Sequence, residues 1–144
     1  MLLVDTNVLV DVLQDDPQWA EWSISQLRAQ ASVHQLVINP VIFAEMSLSF
    51  STLEALDDVV VTMGLELREI PRPALFLAAK AYAQYRKRGG AKQQVLPDFF
   101  IGAHAGNHAG VGLLVGVEHV GFLRVIKSVA RPVPGDGVFE GFCF

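Results

Sequence analysis

The chain has 144 residues, enough for one domain with a sizeable core. Hydrophobic residues make up 51% and charged residues 18%, which excludes a disordered or tail-like chain and argues for a well-buried sheet. The net charge of −4 hides an asymmetry: residues 1–70 carry 11 acids against two bases, residues 71–144 four acids against nine bases, so the halves are −9 and +5. No apolar run reaches the length of a membrane span. The start of the chain has no basic region and an early Asp5, so it does not read as a signal peptide. The single cysteine, Cys143, can form no internal disulfide, which fits a reducing cytoplasm. There is no zinc-ligand spacing and no internal repeat.

In chain order, Met1 to Val4 reads as a short buried strand, with Asp5 at its carboxyl end. Thr6 and Asn7 open a helix through Leu13, and the acidic turn Asp15–Asp16–Pro17 starts another, with Trp19, Trp22, Ser23 and Leu27 roughly on one face. Val33 to Ile38 reads as a second strand. Asn39–Pro40 marks a helix start, an N-cap residue followed by proline at the first helical position. That helix runs on to Phe50, and the spacing puts Glu45 on one face with Val41, Ile42 and Leu48. Ser51-Thr52-Leu53-Glu54 reads as a capping box for a helix that Gly64 ends. Leu65 to Ile70 is a third strand. Pro71 and Pro73 lead into a helix through Arg88, with Leu75, Ala78, Ala79 and Tyr82 on one side.

Val95 to Ala105 follows the Gly89–Gly90 loop and reads as a helix with Asp98 in its first turn, just after Pro97. The rest of that segment is apolar or small. Val111 to Val115 is a fourth strand, and Phe122 to Ile126 a weaker fifth. Nine of the 12 glycines lie from Gly102 onward, and beyond the fifth strand the periodicity is lost. Residues 1–127 therefore read as one domain and 128–144 as a tail, ordered poorly or by contact with a partner. Strands alternating with helices imply right-handed crossovers and an α/β fold, a mainly parallel sheet covered on both faces. In such folds the ligand site lies beyond the carboxyl ends of the strands.

Asp5, Glu45 and Asp98 are the acids with the most apolar surroundings, whereas Asp15, Asp16, Asp57 and Asp58 stand in pairs that look exposed. For Asp98 alone, a first-turn acid facing solvent is an equally open reading. If the three converge, their repulsion demands a cation, and oxygen ligands suit Mg²⁺ or Mn²⁺. The chemistry that follows is metal-assisted phosphodiester hydrolysis. Arg86, Lys87, Arg88 and Lys92 lie within seven residues, either as a phosphate-binding edge or as a solvated helix end. His104 reads as a packing or surface residue in preference to a general base.

Three blocks go further: LLVDTNVLVDVL at 2–13, INPVIFAEMSLSF at 38–50 and LPDFFIGAHA at 96–105. In this order and in so short a chain they resemble the PIN-domain family, more narrowly its VapC-type toxin ribonucleases of bacterial toxin–antitoxin pairs. The resemblance implies a three-layer α/β/α sandwich around a mainly parallel sheet. It implies a Mg²⁺- or Mn²⁺-dependent endoribonuclease that acts on RNA, forms a homodimer and is blocked by a cognate antitoxin. Carried over by position, Asp5, Glu45 and Asp98 match the family's first, second and third catalytic, metal-binding acids, and Thr6–Asn7 a polar turn supporting the first.

The resemblance fades from about Asn107. The family usually carries a fourth acid after the fourth strand, in a pattern like Leu-Leu-Thr-Arg-Asp. Here the matching stretch is Leu113-Leu114-Val115-Gly116-Val117, with Glu118 one step further on. A one-residue slip could bring Glu118 in, but would turn its side chain to another face. A reading-frame change and true divergence both account for the glycine- and phenylalanine-rich tail. Without a fourth acid, metal binding is expected to survive and catalysis to weaken. An alternative reading is a catalytically impaired PIN scaffold that acts by binding antitoxin or RNA. A third, phosphotransfer of the haloacid-dehalogenase type, wants a second aspartate two residues after Asp5, where this chain has Asn7.

Overall fold

The computed structural model describes residues 1–90, 96–107 and 111–116. Among these lie four strands and six helices. In chain order they are β1 (Leu2–Val4), α1 (Thr6–Leu13), α2 (Ala20–Ala31), β2 (Leu36–Ile38), α3 (Pro40–Ser47), α4 (Leu53–Thr62), β3 (Glu66–Leu67), α5 (Arg72–Lys87), α6 (Leu96–Gly106) and β4 (Gly112–Leu114). The strands form one sheet in the order β3-β2-β1-β4, every neighbouring pair parallel. The chain steps one way from β1 through β2 to β3, then crosses to the far side of β1 to make β4. With right-handed crossovers this puts α1–α4 on one face and α5–α6 on the other, the expected α/β/α sandwich.

The sheet is narrow and deeply buried. Leu2, Leu3 and Val4 are at most 2% exposed, and β2 and the residues Leu113–Leu114 of β4 are nearly as closed. This is why β1 reads as an unbroken apolar run with no alternation. On the far face, α5 and α6 pack through aromatic rings. Phe99 is fully buried, with its ring centre 5.8 Å from that of Tyr82 and 5.7 Å from that of Tyr85. Both tyrosines lie late in α5 and Phe99 early in α6, so the end of α5 meets the start of α6.

Several predicted boundaries move. The second strand begins at Leu36, and Val33 is 70% exposed. The reason is its partner: Leu2 pairs with Leu36, so the short β1 offers nothing further upstream. β3 shrinks to Glu66–Leu67 and β4 to Gly112–Leu114 in the same way. α3 stops at Ser47, and Leu48 is 90% exposed, so it does not share the buried face of Glu45. The cap of α4 is Thr52, which accepts from Ala55 N at 3.3 Å, one residue later than the capping box predicted. α5 buries Ala74, Ala78 and Ala81, while Leu75 and Ala79 are exposed, so its inner face is rotated from the predicted one. The fifth strand, the 127/128 boundary, Lys92, Val117 and Glu118 lie outside the described residues.

Candidate active site

Asp5 stands one residue beyond β1, and its backbone N donates to Leu114 O at 2.9 Å, which ties it to the end of β4. Continuing the strand register places Asn39, Asp5 and Val115 side by side along the carboxyl edge of the sheet. The connections from β1 and into β4 run to opposite sides here, so Asp5 sits at the topological switch point, where open α/β sheets bind ligands.

Asp5 is 5% exposed and occupies the N-cap position of α1 in extended conformation, yet its side chain makes no capping bond. Its Oδ2 accepts instead from Asn7 Nδ2 at 2.7 Å. The bond fixes the carboxylate while the α1 amides and dipole still favour its charge. The same amide removes the dehalogenase-type reading, because Asn7 can donate a hydrogen bond but cannot serve as a general acid. Thr6, between the two, donates its hydroxyl to Glu45 Oε2 on α3. One Thr6–Asn7 turn therefore fixes two acids that are 40 residues apart in the sequence.

Asn39 ends β2 and starts α3. Its Oδ1 accepts from Val41 N and Ile42 N, each at 3.0 Å, which fulfils the predicted cap. Pro40 follows at the first helical position, where its missing N–H is no loss. Asp98 is half-buried in the first turn of α6, beside the fully buried Phe99. None of Asp5, Glu45 and Asp98 is a bare side chain, since each makes further polar or electrostatic contacts. His104 is 4% exposed, which settles the packing-or-surface expectation in favour of packing. Its Nδ1 lies 3.4 Å from Asn39 Nδ2, a contact that the sequence does not foretell. The signal for its burial was present: Ile101 to Ala105 leave α6 no polar face, and all five are buried.

The donor set is hard carboxylate oxygen, one member buried, which suits a divalent cation such as Mg²⁺ or Mn²⁺. Asp5 and Glu45 fit as a pair of ligands on a common support. Among the described residues, however, no three His, Cys, Asp or Glu side chains form a group that could hold a metal ion. On the β4 side the edge is apolar. Val115 and Gly116 are buried, and a Cβ built on Gly116 would stand 3.7 Å from Asn7 Cβ. The places of the family's hydroxyl and arginine thus supply no polar group.

No protein-family model and no curated protein matches the chain. Solved structures do. VapBC2 from Rickettsia felis bound to a DNA fragment from its promoter superposes with a TM-score of 0.62 at 15% identity, over 82% of this chain and 89% of that one. FitAcB from Neisseria gonorrhoeae gives 0.60 at 18% identity, over 88% and 93%. DNA-bound VapBC from Salmonella typhimurium gives 0.57 at 19%, over 78% and 83%. At such identities the likeness is one of fold, and the fold is the PIN-like, VapC-type sandwich that the three sequence blocks imply.

Proposed function

We propose that the chain is the toxin of a toxin–antitoxin pair, a metal-dependent endoribonuclease that hydrolyses RNA phosphodiester bonds. The observation that carries this reading is the Thr6–Asn7 turn. It brings Asp5 and Glu45 under one support at the sheet's switch point, in a fold shared with VapBC and FitAcB structures. Asp5, Glu45 and Asp98 would be the residues that hold Mg²⁺ or Mn²⁺. Such an ion, when bound, supplies a water of lowered pKa and neutralises charge on the scissile phosphate. The chain's own residues do the rest. Asn7 holds the Asp5 carboxylate, Thr6 holds that of Glu45, and Phe99 anchors the turn that carries Asp98. The protein would work in the cytoplasm as a homodimer blocked by a cognate antitoxin. Among the described residues no helix is long and apolar enough to cross a membrane.

The apolar Val115–Gly116 edge favours one second reading, a PIN scaffold with impaired catalysis that acts by binding antitoxin or RNA. The two separate in Mn²⁺-dependent cleavage of a structured RNA by the wild type and Asp98→Asn. We expect slow cleavage by the wild type and loss of it in Asp98→Asn. Equal residual cleavage in both would sink the nuclease reading.

A further inference from the structure

Asn39 and His104 are both buried, at 0% and 4% exposed, and they join α3 to α6. Asn39 Oδ1 accepts from two backbone amides, which tells the oxygen end of its side chain from the nitrogen end. With the oxygen committed, Nδ2 is the atom that faces His104 Nδ1 at 3.4 Å. An amide nitrogen only donates, so the imidazole Nδ1 must be the unprotonated, accepting nitrogen, and the ring proton belongs on Nε2. The other tautomer, or an imidazolium, would set two donors against each other in a buried site.

We propose that His104 is a positioning residue for the carboxylate site: it holds Asn39 in the one orientation that caps α3, and α3 presents Glu45 to Thr6. The inference rests on the reading of Glu45 as a site acid. α3 has only eight residues, so the start of the helix depends heavily on its cap. Burial of Ile42 and Met46 sets which face α3 turns to the core, while the cap sets where its first turn begins. Glu45 lies less than two turns from that cap, so a displaced Asn39 shifts the carboxylate. α6 carries Asp98 as well as His104, so the same helix that brings the third acid also fixes the placement of the second.

The test uses the full ¹⁵N-labelled chain with the variants His104→Leu and His104→Asn. Leucine removes the acceptor at similar size, whereas the asparagine Oδ1 stands where the ring Nδ1 does. Ring-nitrogen NMR of the wild type should show the proton on Nε2. In His104→Leu, exchange of the Val41 and Ile42 amides should speed up roughly tenfold, the upper weight of one neutral hydrogen bond, and His104→Asn should restore most of the protection. Mn²⁺ affinity by titration calorimetry should fall in parallel, by about tenfold in His104→Leu and by less than about threefold in His104→Asn. A proton on Nδ1 in the wild type, unchanged exchange at Val41 and Ile42, or equal Mn²⁺ affinity in wild type and His104→Leu overturns the proposal. If the wild type binds no Mn²⁺, the metal reading fails by itself, and the tautomer and exchange data still decide the role of His104. If His104→Leu does not fold, Asn39→Asp decides: its carboxylate should pull the ring proton onto Nδ1, and a proton that stays on Nε2 overturns the proposal.

Discussion

Two helix caps in this chain look alike in sequence and differ in weight. Asn39 is fully buried and its Oδ1 satisfies two amides at 3.0 Å. Thr52 is exposed and accepts one amide at 3.3 Å, and water replaces it readily. Asn39→Ala should therefore cost about 2 kcal/mol or more, the top of the range for cap removal, because it also strands a buried His104 nitrogen. Thr52→Ala should cost about 0.5 kcal/mol. Urea unfolding of both variants checks the order; equal costs would mean that the Asn39 bonds are replaced by water. Asn39 was legible as a helix start, since a cap is written in neighbouring residues, whereas for α4 the sequence pointed one residue early, to Ser51. The partnership of Asn39 with His104 was not, because nothing local to either names a partner 65 residues away. Asp5 and Glu45 were legible as oddly placed acids, but the Thr6 hydroxyl that links them is a tertiary fact.

The elements themselves followed from hydrophobic period and end signals, and all ten described strands and helices were foreseen. Their ends were not, because strand length is set by pairing. The predicted second strand reached back to Val33, but β1 has only three residues to pair with. The α5–α6 packing shows the same dependence on partners. Gly89, at φ +85°, turns the chain out of α5, and a Cβ at Gly90 would come within 2.3 Å of the Tyr85 ring. That ring leans on Phe99, so it has no easy retreat. Gly90→Ala should cost about 1–3 kcal/mol through overpacking. In a Tyr85→Ala background the same substitution should cost less than about 0.5 kcal/mol, the size of ordinary additivity error. A double-mutant cycle by thermal unfolding measures this. A cost that persists without the tyrosine ring would place the strain in the backbone instead.

At the scale of the whole molecule, the proposed function asks an acidic site on a chain of net charge −4 to receive an anionic substrate. The charge split offers a route. Tyr82 and Tyr85 pack on Phe99, next to Asp98, so the exposed Arg86, Lys87 and Arg88 at the end of α5 lie at the same end of α6 as that acid. Arg86 also closes its own helix end, donating from Nη1 to Gly90 O at 3.1 Å, as a solvated cap would. Lys87 and Arg88 are the better candidates for binding phosphate. In the Asp98→Asn background, chosen to remove the proposed cleavage, Lys87→Gln with Arg88→Gln should weaken binding of a single-stranded RNA and flatten its dependence on salt. For every phosphate that is no longer neutralised, the slope of log affinity against log salt should flatten by about 0.7, so two such phosphates account for roughly 1.4. Stability should hardly change, since exposed charges contribute little to it. An unaltered slope would mean that these cations only solvate the end of α5.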